Sequence, residues 1–366
     1  MKTTLHRPVI HASGLTLLEL LVVLSILAVL STVALTSSSG IADQARYEAT
    51  QRTLENIREA VLGPANLRDT DGTLLYTGFV ADTGGLPRAV AEPVDGGTVL
   101  TLQELWIQPA TVVDYDVRQA LAANIVVDAP SSAAEEADAA VYLGSGWRGP
   151  YLNLRPGTAR IVDGWGSEIA TPVGIVAGYP NNLLLNSGVP VSVGDQINEV
   201  ISLGRDSAIG GAEAYDGDAE TTFPSSLLNG TVIVQVEVRT LDGALAPIPV
   251  PLLNPGDPQI EKIFVRLFEP DSGNGLIRVR AVQGPVPVQP PAVNDFETYN
   301  THSSPTLTFT PISTTCGPRV LKAYYVRGPG DPHVANAHGS SPPKHLMVRP
   351  GQNDVTIVLT VPNPLP

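Results

Sequence analysis

Gly14-Leu15-Thr16-Leu17-Leu18-Glu19-Leu20 follows a short basic leader and opens an apolar run that reaches Leu35. One carboxylate, Glu19, sits inside this otherwise apolar segment. A charge held in apolar surroundings is costly unless something pairs with it. Glu19 therefore reads as a functional residue whose partner has to be found. Two ordinary readings compete: signal-peptide cleavage beyond the run, near Ala34, and a permanent signal anchor. Neither gives Glu19 a task.

Lys2, His6, Arg7 and His11 all precede the run. With the positive flank inside, the bulk of the chain lies outside the cytoplasm. Leu15–Leu35 is long enough to cross a bilayer.

The Gly14-Leu15-Thr16-Leu17-Leu18-Glu19 pattern resembles the class III signal of type IV prepilins and type II secretion pseudopilins. The resemblance implies cleavage after Gly14 by prepilin peptidase, N-methylation of Leu15 and a structural role for Glu19 as fifth mature residue. That family usually begins with Phe, where this chain has Leu15. The physics is consistent with it. The amine freed at Leu15 is a cation in an apolar helix bundle, and Glu19 of a neighbouring subunit can pair with it. Such a pair fixes register more than it adds stability.

The chain has 366 residues and a net charge of −14, with only 16% charged residues, 34 Gly and 33 Pro. That length allows two or three domains, and the Gly and Pro content predicts many short strands and turns. A chain this acidic does not bind nucleic acid through general electrostatics. It suits a soluble surface or a divalent-cation site. The single cysteine, Cys316, has no internal disulfide partner and reads as a small buried hydrophobe.

Beyond Leu35, Thr36-Ser37-Ser38-Ser39-Gly40 is a run of weak helix formers, a candidate soft point. Ile41, Ala45, Leu54, Ile57 and Val61 then recur at near-helical spacing, and Gly63-Pro64 ends the pattern. One helix over 15–62 is predicted, apolar all round in its first half and amphipathic in its second. The first half would bury against other subunits, the second against its own globular domain. Leu100–Trp106 and Val117–Ala122 read as short helices, and Ser131–Ala140 as an exposed loop or short helix.

Three further segments resemble elements of the major, G-type pseudopilin of type II secretion. Gly146-Trp147-Arg148-Gly149-Pro150-Tyr151-Leu152 resembles its W-x-G-P-Y-L element. Asp163-Gly164-Trp165-Gly166 resembles its D-P-W-G turn, with Gly164 in place of proline. Ser202-Leu203-Gly204-Arg205-Asp206, with Gly210-Gly211 and Asp216-Gly217-Asp218, resembles its S-L-G-x-D…G-G…D loop. This last resemblance implies calcium, with Asp206, Asp216 and Asp218 as candidate side-chain ligands and the Leu203 carbonyl as a backbone ligand. Calcium takes six to eight oxygens on flexible loops, which the carboxylates and glycines could supply. A solvated acidic turn is the plainer reading of the same residues.

After Phe223 the pattern alternates with period two: Thr231–Val238, Ile263–Phe268, Leu276–Val282, Thr306–Pro311, Val320–Val326 and Val355–Val361. Six such segments between Pro/Gly-rich turns predict a β-sandwich, loosely resembling transthyretin-like and carboxypeptidase-regulatory-like sandwiches. His333, His338 and His345 lie near Asp331 in a turn-rich stretch that reads as loop rather than metal site. No nucleophile elbow, P-loop or dinucleotide fingerprint is present.

The predicted fold is α+β: a long N-terminal helix with a pilin-type antiparallel-sheet head, followed by an all-β sandwich. The expected division is 1–14 leader, 15–62 transmembrane and filament-core helix, 63–223 head and 224–366 sandwich. The expected function is that of a non-enzymatic, pseudopilin-like structural subunit of a type II secretion or type IV pilus-like filament. Its expected partners are copies of itself, other pseudopilins, prepilin peptidase and an inner-membrane assembly platform. Before assembly it would be a single-pass inner-membrane protein with its bulk periplasmic or extracellular. The alternatives are a minor pilin or surface adhesin whose β-sandwich binds a ligand, and a signal-anchored binding module that never polymerises.

Overall fold

The computed structural model describes residues 17–68, 70, 72, 75–94, 97–115, 125–128, 143–154, 160–166, 171–172, 183–186, 190–211, 215–241, 243–245, 261–272, 274–282, 306–327 and 337–361. Helix α1 (Leu17–Leu62) runs unbroken for 46 residues, about 70 Å at 1.5 Å per residue. It passes straight through the weak formers around Gly40, where no neighbouring atom crowds the backbone. It ends at Gly63, whose φ of +90° is a conformation that glycine adopts without a Cβ penalty. The Gly63 amide donates to the Glu59 carbonyl at 2.8 Å and closes the last turn.

Burial divides α1 in two. Leu54, Ile57, Ala60 and Val61 are buried in the head, on a stripe of i, i+3 and i+4 positions. Pairs such as Glu55–Arg58, at 3.5 Å, flank that stripe. By contrast, every residue of Leu17–Val33 is exposed, its large apolar side chains ranging from Leu17 at 82% to Val22 at 46%. Ile41 and Ala45, expected on the packing face, are also exposed.

The head holds α2 (Phe79–Thr83) and strands β1 (Val90–Val94), β2 (Gly97–Thr101), β3 (Ile125–Asp128), β4 (Thr171–Pro172), β5 (Leu183–Leu185), β6 (Glu199–Ser202) and β7 (Ala219–Thr222). β1-β2-β4 and β5-β6-β7 form two small antiparallel sheets, and α1 packs on β7 and α2. Leu100–Trp106 is not a helix: Leu100 and Thr101 are the last two residues of β2, and only Gln103–Leu105 make a single 3₁₀ turn. Leu100, Leu102 and Leu105 are all buried, so this apolar run inserts into the core without helical periodicity. The helix expected over 117–122 and the segment 131–140 lie outside the described residues.

A short helix, α3 (Ser225–Leu228), leads into a larger all-β region. Its strands are β8 (Asn229–Arg239), β9 (Glu261–Pro270), β10 (Ile277–Val282), β11 (Thr306–Thr308), β12 (Ile312–Thr315), β13 (Gly317–Arg327), β14 (Ala337–Ser340), β15 (Lys344–Val348) and β16 (Gly351–Thr360). One sheet runs β14-β13-β9-β10-β3 with β15 also on β13, and the other runs β11-β8-β12 with β16 parallel to β8. Val232, Val234, Val236 and Val238 of β8 meet Ile263, Val265 and Leu267 of β9 in one shared core. Period-two burial along β8 and β16 is what their alternating sequences predict.

The expected division at residue 223 does not separate the sheets. β3, from inside the expected head, pairs parallel with β10 over Ile277↔Ile125 to Arg280↔Asp128, and Arg278 forms an ion pair with Asp128. Ser145 Oγ donates to the Gly275 carbonyl at 2.7 Å, and the Val113 amide to the Asn274 carbonyl at 3.0 Å. Backbone contact is equally close. A Cβ on Gly84 would overlap the Pro270 carbonyl, and one on Gly317 would come within 2.9 Å of Ala81. The all-β region is built onto α2 and shares a sheet with the head.

Candidate functional site

Glu19 stands in the first turn of α1, beside the exposed Leu17, Leu18, Leu20 and Leu21. A carboxylate in a first helical turn lies at the positive end of the helix dipole. The exposed apolar surface continues through Leu24, Leu27, Leu30 and Val33, far more than a free subunit leaves in water. Gly14 and Leu15, the expected processing site, lie outside the described residues. Among the described residues no helix is long and apolar enough to cross a membrane; of the expected span, side chains are described for Leu17–Val33.

The prokaryotic N-terminal methylation motif matches residues 11–35. That match supports a type IV prepilin-like protein. It covers Gly14, Leu15, Glu19 and the whole apolar run, and supports processing by prepilin peptidase. It also fits an N-terminal anchor with the bulk of the chain exported. No curated protein and no solved structure matches the chain.

The second candidate site is the loop after β6. Leu203 is buried, and Gly204 takes φ +70° where a Cβ would come within 2.9 Å of the Tyr215 carbonyl. Each of the three carboxylates expected to bind calcium has a hydrogen-bond partner within the loop. Asp206 Oδ1 accepts from the Ala208 amide at 3.1 Å, and Asp218 Oδ2 from the Gly210 amide at 2.9 Å. Asp216 is held by Arg205, with Nε at 2.9 Å from Oδ1 and Nη2 at 3.3 Å from Oδ2. Among the described residues no three His, Cys, Asp or Glu side chains are grouped to hold a metal ion. With the Arg205 fork on both Asp216 oxygens, these residues do not fit a cation at that carboxylate.

The Asp163-Gly164-Trp165-Gly166 turn lies on α1. The Gly164 amide donates to Thr50 Oγ1 at 3.0 Å, and a Cβ on Gly164 would overlap the Arg46 carbonyl. That contact explains why glycine replaces the resembled proline. Asp163 holds the turn from both sides, accepting from the Trp165 amide at 3.0 Å and from Ser202 Oγ at 2.9 Å.

The Trp147–Leu152 element holds a buried polar cluster. Trp147 Nε1 donates to the Glu104 carbonyl at 2.8 Å, and the Tyr151 and Leu152 amides donate to the Leu105 carbonyl. Arg148 Nε lies 3.0 Å from Asp82 Oδ2, and Tyr151 Oη donates to the same oxygen at 3.0 Å. Burial pushes the Asp82 carboxyl up to about 6, against the opposing pull of Arg148. Burial likewise raises the Tyr151 hydroxyl, with the Asp82 charge adding to it. Neither Asp82 nor Glu104 was identifiable in advance, because an acid near a turn reads as solvated until its cover is known.

Arg319 is fully buried where β13 meets α2. It donates to Thr315 Oγ1 and to the Cys316 carbonyl, and Thr314, its neighbour, donates to Glu269. Burial lowers the Arg319 guanidinium to about 10, partly offset by Glu269. Cys316 is buried and its thiol is pushed up to about 12, also by burial. His345 is an exposed β15 residue, while His333 and the side chain of His338 lie outside the described residues.

Proposed function

We propose that the chain is a pseudopilin-like structural subunit of a type II secretion or type IV pilus-like filament. The observation that carries this reading is the burial contrast along α1. The stripe Leu54, Ile57, Ala60 and Val61 near its C-terminus is sunk in the head, whereas Leu17–Val33 is an exposed apolar rod with Glu19 near its start. In the membrane, lipid would cover that rod; in a filament, the same segments of neighbouring subunits would. Glu19 would set the register by pairing with the amine freed at Leu15 of the next subunit. The role is mechanical, and assembly would be driven from an inner-membrane platform.

Glu19→Leu tests this reading. The variant should be cleaved like the wild type but yield few sheared filaments, because the neighbour's amine loses its partner. Filaments at wild-type yield would contradict the register role.

A second reading, a minor pilin or surface adhesin, draws support from the all-β region. That region, packed on α2, is an addition that every position along a repeating shaft would have to accommodate. The two readings differ in whether the subunit forms filaments when expressed without other pilins.

A further inference from the structure

We propose that Arg205 is the built-in cation of the loop after β6, closing it and tying it to α1 without a divalent ion. Its guanidinium spans two carboxylates from different elements. The fork meets both oxygens of Asp216, and Nη1 lies 3.3 Å from Asp43 Oδ2 on α1. Asp43 also lies 3.6 Å from Arg46, whose guanidinium carbon is 6.0 Å from the centre of the Trp165 ring. The Arg205 amide donates to the Tyr215 carbonyl at 3.0 Å, and Tyr215 meets Tyr47 of α1 ring to ring at 6.1 Å. Loop and helix are thus joined around the Arg205 guanidinium, and the turn at Trp165 is reached through Arg46.

The geometry suits a guanidinium better than an ion. A planar fork matches one carboxylate bidentately and leaves a third nitrogen for a second acid. A calcium ion at this point would need six or more oxygens. Two of the acids that could supply them, Asp206 and Asp218, accept from backbone amides of their own loop. The Asp43 and Asp216 side chains are only 18% and 13% exposed, so solvent screens these pairs less than it does a freely exposed ion pair. The tie reaches α1 at Asp43, ten residues past the exposed Val33, so it steadies the helix where it enters the head.

The test is thermal unfolding of the full-length protein in detergent micelles, in millimolar calcium and in EGTA. The wild type should melt at the same temperature in both. In EGTA, Arg205→Ala should melt lower by about 2–4 °C, and Arg205→Lys, which keeps charge but loses the fork, should recover only part of that. Asp43→Asn combined with Arg205→Ala should fall short of the sum of the two single losses. A calcium-dependent rise in the wild type that Asp216→Asn abolishes would overturn the proposal. So would Arg205→Ala and Arg205→Lys proteins that both melt with the wild type in EGTA.

Discussion

Arg319 Nη1, in the C-terminal sheets, lies 3.5 Å from the carbonyl oxygen of Ala81 in α2, and the arginine is wholly buried. This contact crosses the boundary that a reading of the sequence places at residue 223. Removing one member of a buried charged network costs about 3–5 kcal/mol. All three tryptophans, at 106, 147 and 165, lie in the head, so their fluorescence reports head unfolding. Arg319→Ala should lower the fluorescence-detected transition as much as the one seen by circular dichroism. A fluorescence transition unmoved by the substitution would mean that the two regions unfold independently.

Asp82 predicts a pH dependence. Burial raises its carboxyl to about 6 in the folded protein, above the ordinary unfolded value. The folded state therefore holds this proton more tightly. The stabilisation is full below the unfolded value and is lost as pH rises through about 6. Stability should rise by about 2 kcal/mol between pH 7 and pH 4 from this group. Asp82→Asn should lack that component, which a pair of melting-temperature profiles would reveal. Profiles of equal slope would contradict it.

Gly164 should not accept a side chain. Its Cβ would overlap the Arg46 carbonyl on α1, and such overpacking costs about 1–3 kcal/mol. Gly217, with no atom within 4 Å of a built Cβ, is the control. Gly164→Ala should lower the melting temperature and Gly217→Ala should leave it nearly unchanged.

The two halves of α1 should respond oppositely to truncation. Ile57→Ala opens a cavity in the head core and should cost about 2–5 kcal/mol of stability. Leu24, 58% exposed, should be silent in the melting of the detergent-solubilised subunit. Its replacement by Ala should instead reduce the yield of assembled filaments. Head destabilisation by Leu24→Ala would show that this half packs on its own subunit.

The long helix was legible because a change from uniformly apolar to amphipathic sequence at one unbroken period leaves few other structures. The strands β8, β9 and β13 were legible from alternation, extending a few residues beyond the expected runs. The β3–β10 pairing was not, because Ile125-Val126-Val127-Asp128 names no partner and its match lies 152 positions away, at Ile277–Arg280. Leu100–Trp106 misled because a buried strand end followed by a single 3₁₀ turn has the same apolar density as a short helix. Arg205 and Arg319 carry no sequence signal, since an arginine's partners are set by tertiary contact. The loop's family likeness pointed to its acids and missed the arginine that precedes them.

The most direct test of the prepilin-like reading is the intact mass and N-terminal sequence of the protein recovered from its own membranes. We predict a chain that begins at Leu15 and carries one added methyl group. A chain that begins at Met1, or beyond Ala34, would contradict prepilin-peptidase processing and with it the filament role.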